Sequence, residues 1–330
     1  MTFTEAGAGI SVSYLVLYRF VQIYYEKRMV PINRTREYHR NERIDLMTEY
    51  TICESLGSID SPYMTALENP RSYGAIIGDL LTSHGMCTQE CTMCEIGGGY
   101  GSLMGGLLVA HVSSVNHICM IDLSRYLLER QKKVLAQWSH LMTFVHADAM
   151  ELIPAISNVD MIILNEIIGD LDTWRNVDVT NIPDEILRFV NRYGLEVPPH
   201  GTFNFNMGAV VLIEDICRRG IPVFVAEHSS DPVIPPDMAF LGRDLDTDGF
   251  PREIRLQGHS EYTIRFSHLI KIAEFWGRNV TGGPLIDLVG VKKSTKMRFI
   301  FISRACATDE QEIIYEFLDH IREYRWLAIM

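Results

Sequence analysis

The sequence lacks an excess of basic residues, a spread framework of cysteines and a long apolar run. Its 330 residues carry 30 Lys and Arg against 42 Asp and Glu, a formal net charge of −12. Nonspecific binding to nucleic acid needs clustered Lys and Arg, so nucleic acid is not an expected partner. The seven cysteines are odd in number, and three of them crowd between Cys87 and Cys94. A disulfide framework spreads its cysteines, so we expect reduced thiols and a cytoplasmic protein.

The longest early apolar run, from Ile10 to Tyr25, is interrupted by Arg19 and Gln22. It is shorter than the roughly 20 apolar residues of a membrane-spanning helix, so no membrane span is expected. No basic residue precedes the run and no small-residue cleavage site follows it, which disfavours a signal peptide. We expect a helix that packs on the domain or on a second subunit. A homodimer through the N-terminal helices is therefore one expected arrangement.

From Thr92 onward, short β-branched or apolar runs alternate with longer segments that carry apolar residues at helical spacing. This alternation is typical of βαβ units and a largely parallel sheet. The predicted fold is α/β, with a Rossmann-like, doubly wound, mainly parallel sheet. The predicted strands are 92–96, 117–122, 143–146, 161–165 and 222–226, and the predicted helices between them are 102–110, 124–138 and 209–219.

The rest of the chain is predicted in less detail. Residues 1–80 read as a helical N-terminal region, whose charged stretch RTREYHRNERID is expected to have a solvated face. Residues 81–330 are predicted to form one cofactor-binding domain, with an insertion at about 172–201 over the active edge of the sheet. The tail is predicted to form a strand over 297–303 and a helix over 309–324. We find neither an internal repeat nor a low-complexity segment.

The stretch EIGGGYG places Gly97, Gly99 and Gly101 between a predicted strand and a predicted helix. Backbone amides at a helix N-terminus can approach a ligand closely where no Cβ intervenes. The spacing is G-x-G-x-G, whereas a dinucleotide fingerprint needs glycine at the position of Ser102. Glu95 is unfavourable beside a pyrophosphate and suits a cationic ligand, such as the sulfonium and amino group of S-adenosylmethionine.

Polar residues also end the next three predicted strands, at the rim where open α/β sheets bind ligands. Asp122, with Leu123 beside it, ends the second strand, and its carboxylate can accept hydrogen bonds from both ribose hydroxyls. Asp148 and Ala149 follow the third strand and are predicted to meet the adenine. Asn165 ends the fourth. With Glu95 and the three glycines, these five residues form the predicted cofactor site.

If the cationic ligand is S-adenosylmethionine, the expected chemistry is methyl transfer, an in-line displacement at a sulfonium in which the protein mainly aligns the nucleophile and excludes water. The methyl group is expected to be presented beside the end of the fourth strand. The candidate catalytic residues are Glu166, Asp170, His228 and His259, with Glu227 and Glu261 as neighbours and His259 as a possible general base. Each histidine can equally be a hydrogen-bonded structural residue, and Glu166 can be a solvated loop carboxylate.

Several stretches of the chain resemble class I S-adenosylmethionine-dependent methyltransferases, and most of all the MidA-like family, which includes the mitochondrial complex I assembly methyltransferases. These stretches are EIGGGYGSL, IDLSRYLLERQKKVL, ILNEIIGDL, and GIPVFVAEHSSD followed by GHSEYTIRFSHLIKIAEFWG, within about 93–277. The chain departs from the family at Gly98, where proline is usual, and at Ile167 and Ile168, where aromatics are usual. EIGGGYG also resembles proteins described as sugar O-methyltransferases.

The resemblance implies S-adenosylmethionine as cofactor and S-adenosylhomocysteine as product. It also implies methyl transfer to a protein side chain or to a small polar metabolite. A non-catalytic assembly or binding protein that keeps the same fold is an alternative.

The cysteines leave a further alternative open. CTQECTMC has the C-x₃-C-x₂-C spacing of iron–sulfur ligands, and His84 with Cys87, Cys91 and Cys94 offers a set of zinc ligands. Cys94, however, lies within the first predicted strand, so its use as a ligand would displace the strand edge. We therefore predict no metal site and expect Cys94 to be a small buried residue.

Overall fold

The computed structural model describes residues 31–46, 49–153, 156, 158–246 and 248–330. The apolar run 10–25, and the homodimer expected through it, lie outside these residues. None of the helices in the described ranges combines the length and the apolarity that a bilayer crossing requires.

The centre of the molecule is a seven-stranded sheet. In chain order the strands of the described residues are β1 (Cys91–Ile96), β2 (Val115–Asp122), β3 (Met142–His146), β4 (Met161–Asn165), β5 (Trp174–Asp178), β6 (Thr202–Phe205), β7 (Val223–His228), β8 (Glu253–Arg255), β9 (Ser260–Tyr262), β10 (Val280–Pro284) and β11 (Tyr324–Ile329). The order in the central sheet is β10-β11-β7-β4-β1-β2-β3. β1, β2, β3, β4 and β7 are parallel, and β11 enters antiparallel between β7 and β10. All five predicted strands and the predicted fold class are confirmed.

Helices cover both faces of this sheet. They are α1 (Thr35–Asn41), α2 (Ile52–Ser55), α3 (Tyr73–Ser83), α4 (Ser102–His111), α5 (Arg125–Val134), α6 (Ala149–Leu152), α7 (Asp184–Tyr193), α8 (Met207–Arg219), α9 (Phe266–Phe275), α10 (Leu285–Leu288), α11 (Thr295–Ser303) and α12 (Asp309–Ile321). Side chains of a strand alternate between faces, so Met93 joins one hydrophobic core while Cys94 and Ile96 join the other. The predicted helix over 124–138 ends early, at Val134, and a 3₁₀ segment follows it.

The prediction of a strand over 297–303 is wrong, because these residues form α11. Met297, Ile300 and Phe301 are buried at the spacing of one helical face, while Phe299 is 67% exposed. The Ser294 hydroxyl caps the helix by accepting a hydrogen bond from the Met297 amide at 3.2 Å. The following helix also ends earlier than predicted, at Ile321, and Tyr324 begins the strand β11.

The division of the chain at residue 80 stays a prediction. α3 spans this position and crosses α4 with the two backbones in contact. A Cβ at Gly74 would lie 1.9 Å from the Leu103 carbonyl oxygen, so this crossing requires glycine. Within 172–201, the predicted insertion, the structure places β5 and α7, and β5 pairs with β6 in a small separate antiparallel sheet.

Candidate active site

A cavity of about 330 Å³ opens at the carboxyl ends of the parallel strands. Its volume falls in the range of small-molecule sites. Most of the predicted site residues line it, namely Gly97, Gly99, Asp122, Leu123, Asp148, Ala149, Asn165, Glu166, Asp170 and His228. Glu95, Gly101 and His259 are not among its lining residues.

The cavity has two halves with different chemistry. We call the part formed by Gly97, Gly99, Asp122, Asp148 and Asn165 the glycine-loop half. The opposite part carries carboxylates and histidines from distant segments, and we call it the acidic half; it comprises His39, Glu49, Asp170, Glu227, His228 and Glu261.

The glycine loop has the backbone that its sequence suggests. Gly97, Gly99 and Gly101 all have positive φ angles, of 68°, 53° and 91°. Gly101 is the residue before the first turn of α4, and its amide donates to the Gly98 carbonyl at 2.7 Å. A Cβ at Gly97 would lie 2.6 Å from Ile167 Cδ1, so the loop and the segment after β4 touch only because this residue is glycine.

Glu95 lies beneath this loop. Its carboxyl is buried, and Oε2 has no hydrogen-bond partner among the described residues. A Cβ added to Gly98 would lie 3.2 Å from this oxygen, which places the carboxyl directly under the loop. Burial, with a contribution from Asp122, raises the pKa of Glu95 to about 8. The site therefore holds an uncompensated acidic group below the loop.

Asp122 is held from two sides at the end of β2. Oδ1 accepts a hydrogen bond from the Ser124 amide and Oδ2 accepts one from Gln131 Nε2, both at 2.8 Å. Gln131 also donates to the Gly99 carbonyl at 3.1 Å, so one side chain of α5 joins this carboxylate to the glycine loop. Ser124 itself caps α5. Burial raises the pKa of Asp122 to about 6.

Asp148 caps α6 and also binds α1. Oδ1 accepts a hydrogen bond from the Met150 amide at 3.0 Å, and Oδ2 forms ion pairs with Arg36 and Arg40. Arg36 further pairs with Asp172 at 2.8 Å. The stretch RTREYHRNERID was expected to have a solvated face. The helix α1 within it also has an inner face, which covers the cavity rim with basic residues.

Glu166 joins three separate segments of the chain. Oε1 accepts hydrogen bonds from the Ile52 amide at 2.7 Å and from the Tyr324 hydroxyl at 2.8 Å. Oε2 accepts from the Cys53 amide and from Asn165 Nδ2, both at 3.1 Å. The Tyr73 hydroxyl in turn donates to Asn165 Oδ1 at 2.8 Å. Glu166 is thus not a solvated loop carboxylate, since four protein donors hold it.

The acidic half concentrates the carboxyl groups of Glu49, Asp170, Glu227 and Glu261. Glu227 is buried and accepts hydrogen bonds from the Gly169 amide at 3.2 Å and the His228 amide at 2.9 Å. Burial and the neighbouring Glu261 raise the pKa of Glu227 well above its usual range. Burial and Asp170 raise the pKa of Glu261 to about 7. These groups can hold protons near neutral pH.

The histidines of this half differ in charge. Burial, with His320 and Arg252 nearby, lowers the pKa of His228 well below its usual range, so this imidazole is neutral. Its ring lies 4.0 Å from that of Tyr324. Burial opposes protonation of His39, but Asp170, 3.3 Å away, raises the pKa of His39 to about 9. His259 lies behind Asp170 and Glu261 and stacks on Tyr38 with a centroid distance of 4.5 Å.

The cysteines do not converge on one point. Cys87 and Cys91 pack together in the hydrophobic core on one side of the sheet. Cys94 lies in the core on the other side, where its thiol interacts with that of Cys119. His84 Nδ1 lies 3.0 Å from the Leu80 carbonyl oxygen. This arrangement disfavours the cluster and zinc alternatives that require all three thiols.

Sequence reasoning missed several residues that line the acidic half or cover the rim. From the sequence, the segment with Arg36, His39 and Arg40 is expected only to be a charged, solvated stretch. The spacing of these three residues nevertheless places them on one face of α1. The residues missed without a comparable signal are Glu49, Tyr50, His320 and Tyr324.

Residues 77–172 match the family model described as "Putative S-adenosyl-L-methionine-dependent methyltransferase". The match contains the glycine loop, Asp122, Asp148, Asn165 and Asp170. No curated protein matches this chain.

Two solved structures from Burkholderia thailandensis resemble the chain along most of its length. An uncharacterized superfamily protein has 12% identity and a TM-score of 0.51, and the alignment covers 96% of this chain and 91% of that chain. A member of the same superfamily, bound to S-adenosyl-homocysteine, has 14% identity and a TM-score of 0.52, with coverage of 96% and 92%. At such identities these likenesses show the fold.

The matched family segment and the fold together define the class of the protein. It is an α/β methyltransferase that depends on S-adenosylmethionine, and the class and cofactor expected from the sequence are confirmed.

Proposed function

We propose that this protein transfers a methyl group from S-adenosylmethionine to a protein side chain or to a small polar metabolite. The observation that carries the proposal is the continuity of the cavity, because the glycine-loop half and the acidic half line a single space. A methyl donor in the first half and an acceptor in the second half would then meet without crossing bulk water.

The residues of the glycine-loop half suit the cofactor. Positive-φ glycines leave room for a ligand against the loop, and the unpartnered carboxyl of Glu95 suits a cation seated above it. Asp122 uses one lone pair of each oxygen within the protein, which leaves acceptor capacity for two ribose hydroxyls. We assign Leu123, Asp148 and Ala149 to the adenine side and Asn165 to the methionine side. When bound, the cofactor supplies an electrophilic methyl group on its sulfonium.

The acidic half suits a polar acceptor. Asp170, Glu227 and Glu261 can accept hydrogen bonds from N–H or O–H groups and, where protonated, donate them. The acceptor atom attacks with a free lone pair, and its N–H or O–H proton leaves before, during or after transfer so that the charge balances. Glu261, with a pKa of about 7, can take up such a proton, whereas the lowered pKa of His228 leaves its neutral imidazole to accept a hydrogen bond. Glu166 acts as a positioning residue, because its oxygens are engaged by four protein donors.

One contact of the cavity rim bears on how the cofactor would bind. The carboxylate assigned to the adenine side, Asp148, is already paired with Arg36 and Arg40. Binding of the adenine at Oδ2 of this carboxylate would therefore require α1 to release it, whereas Oδ1 accepts only the Met150 amide and keeps a free lone pair.

The experiment measures binding and transfer separately. Calorimetry with S-adenosylhomocysteine is expected to give one site per chain. Incubation of the protein with methyl-labelled S-adenosylmethionine and a cell lysate is expected to transfer label, and separation of macromolecules from small molecules then assigns the acceptor class. Binding without transfer to any fraction would support the assembly or binding protein, and the absence of binding would overturn both.

A further inference from the structure

We propose that His39, Asp170 and His259, with Glu261 as an additional ligand, bind a divalent transition-metal ion in the acidic half of the cavity. We call this group the two-histidine site. It uses none of the cysteines. Binding of the ion does not depend on the proposed methyl transfer, although the ion's effect on an acceptor rests on that function.

The separations between donor atoms suit a shared ion. His39 Nε2 lies 3.3 Å from Asp170 Oδ2, and His259 Nε2 lies 4.0 Å from Asp170 Oδ1 and 3.7 Å from Glu261 Oε1. Donors that bind one ion at about 2.0–2.2 Å are separated by roughly 3.0–3.5 Å, so small side-chain rotations complete the site. One donor atom each from His39, Asp170 and His259 lies within 4.8 Å of the others.

The hydrogen bonding of His259 points independently to a ligand. Its side chain is 2% exposed, yet neither ring nitrogen has a hydrogen-bond partner among the described residues. Nε2 of His39 and Oδ1 of Asp170 also lack hydrogen bonds of suitable geometry within the described part of the chain. Buried polar groups are normally satisfied, and one metal ion would engage Nε2 of each histidine together with a carboxylate oxygen of Asp170.

The surroundings of His259 hold its ring in one orientation. Tyr38 stacks on the ring with an interplanar angle of 16°, and the His39 ring lies 5.3 Å away at 87°. With Nε2 directed at Asp170 and Glu261, the other nitrogen, Nδ1, lies 3.8 Å from Glu49 Oε1. A carboxylate beside the second nitrogen is the usual arrangement around a histidine that binds a metal.

The donor set favours a transition metal over magnesium or calcium. Two imidazoles with one or two carboxylates suit Zn²⁺, Fe²⁺ or Mn²⁺, whereas Mg²⁺ and Ca²⁺ prefer oxygen ligands alone. Crowded carboxyl groups of the acidic half, Glu49, Asp170, Glu227 and Glu261, would also be compensated by a divalent charge. Because Asp170 and Glu261 line the cavity, the ion would contact an acceptor's oxygen or nitrogen and strengthen its binding.

The test uses the full chain, stripped of metal with a chelator and titrated with Co²⁺ at pH 8, where binding of the ion has to displace only the protons that its ligands still carry. We expect one Co²⁺ per chain, with visible absorption bands of nitrogen and oxygen ligation and without a thiolate charge-transfer band. Zn²⁺ is expected to displace it. His39→Gln and His259→Ala are each expected to weaken binding at least tenfold. His140→Ala, which changes an exposed histidine outside the site, is expected to bind as the wild type does.

His259→Ala removes a buried ring and can impair folding, so His39→Gln on the short helix α1 is the decisive variant. Equal Co²⁺ affinity in His39→Gln, His140→Ala and the wild type would place the ion elsewhere and overturn the proposal, as would the absence of Co²⁺ and Zn²⁺ binding. S-adenosylhomocysteine binding, measured by calorimetry on the same metal-free samples, tests the proposed function separately. If the protein binds S-adenosylhomocysteine but no Co²⁺ or Zn²⁺, only the metal site is overturned. If it binds the ion but no S-adenosylhomocysteine, only the proposed methyl transfer is overturned.

Discussion

The glycine-loop half and the acidic half of the cavity differ in how far along the chain their side chains find partners. Asp122 is held by Ser124 and Gln131, two and nine residues away. In the acidic half, Asp170 meets His39 from α1 and His259 from the hairpin of β8 and β9. Asp122 is thus held by one strand and its following helix, although Asp148 and Asn165 of the same half also bind distant residues, whereas the acidic half exists only when three distant segments have assembled.

The two halves also differ in how well they are satisfied before a ligand binds. Asp122 accepts a protein hydrogen bond on each oxygen, but His259 has no hydrogen bond on either nitrogen within the described chain. In and beside the acidic half, His39 Nε2, Asp170 Oδ1 and both nitrogens of His259 lack a hydrogen bond within the described residues. Such a surface gains most from a ligand that brings a charge or several hydrogen bonds. This difference suggests that the glycine-loop half is preformed and that the acidic half is organised by what it binds.

The largest expected effect is the loss of cofactor binding in Asp122→Ala. The variant removes both acceptors proposed for the ribose hydroxyls, and hydrogen bonds to a charged group contribute about 1.5–3 kcal/mol each. A loss of about 3–6 kcal/mol corresponds to a weakening of at least 100-fold. Calorimetry with S-adenosylhomocysteine measures it.

Two further variants control for folding. In Asp122→Asn the amide can still accept from Ser124, and Gln131 can rotate because its Oε1 has no other partner in the described chain, so the fold is expected to persist with weakened binding. Asp79→Asn changes an exposed carboxylate paired with Arg71, outside the cavity, and is expected to bind normally. Wild-type affinity in both Asp122 variants would remove Asp122 from the cofactor site.

A smaller effect is expected on folding stability in Glu166→Gln, which tests whether this residue of the cavity positions other segments or takes part in catalysis. In the variant, the NH₂ group of the glutamine replaces a carboxylate oxygen that accepts two hydrogen bonds in the wild type, so two donors lose their acceptor. The free energy of unfolding is therefore expected to fall by about 2–3 kcal/mol. Thermal and denaturant unfolding measure the change, and amide exchange is expected to quicken at Ile52 and Cys53.

The matched control is Glu316→Gln, because the Tyr63 hydroxyl donates to Glu316 at 3.0 Å on the exposed surface. That change is expected to cost less than about 0.5 kcal/mol. Unchanged stability of Glu166→Gln together with a large fall in kcat would instead make Glu166 a catalytic residue.

The separation along the chain between interacting residues also explains which residues could be predicted from the sequence. A short apolar run marks each strand of the parallel sheet in the sequence. Because the strands are parallel, a polar residue at the end of each strand lies at the common rim. The residues proposed to bind the cofactor were predictable for this reason. Arg36 was not, because its partners Asp148 and Asp172 are 112 and 136 residues away, and in sequence a charged helix has the pattern of a solvated one.

The strand predicted over 297–303 is wrong for a different reason. MRFIFIS contains apolar residues that satisfy both an alternating and a helical pattern, and only packing decides between them. A helix forms instead of a strand because Ile300 and Phe301 can then both pack in the core and Ser294 can cap the first turn. Tyr324, by contrast, carries no signal at all, since its hydrogen bond to Glu166 depends on the last strand entering the sheet beside β7.

The smallest expected effect concerns pH and the carboxyl beneath the glycine loop. With a pKa of about 8, Glu95 is mostly protonated between pH 6 and 7 in the unliganded protein, and its ionised fraction rises about tenfold over this interval. A cation bound above the loop favours the ionised form, so S-adenosylhomocysteine is expected to bind about three to ten times more tightly at pH 7 than at pH 6. Glu95→Gln is expected to keep only the roughly twofold change that the pKa of about 6 at Asp122 provides.

The same pKa shift affects the unliganded fold with the opposite sign. The unfolded chain releases the Glu95 proton at a lower pH than the folded chain does, so this residue's contribution to stability falls as the pH rises from about 4.5 towards 8. Glu95→Gln removes that loss, and its melting temperature is expected to fall less than that of the wild type between pH 6 and 8. Calorimetry and thermal unfolding at both ends of the range test the pair of effects together. Equal pH dependence of binding in the wild type and Glu95→Gln would mean that the ligand's cation does not sense this carboxyl, and the preformed character of the glycine-loop half would then rest on Asp122 and the loop backbone.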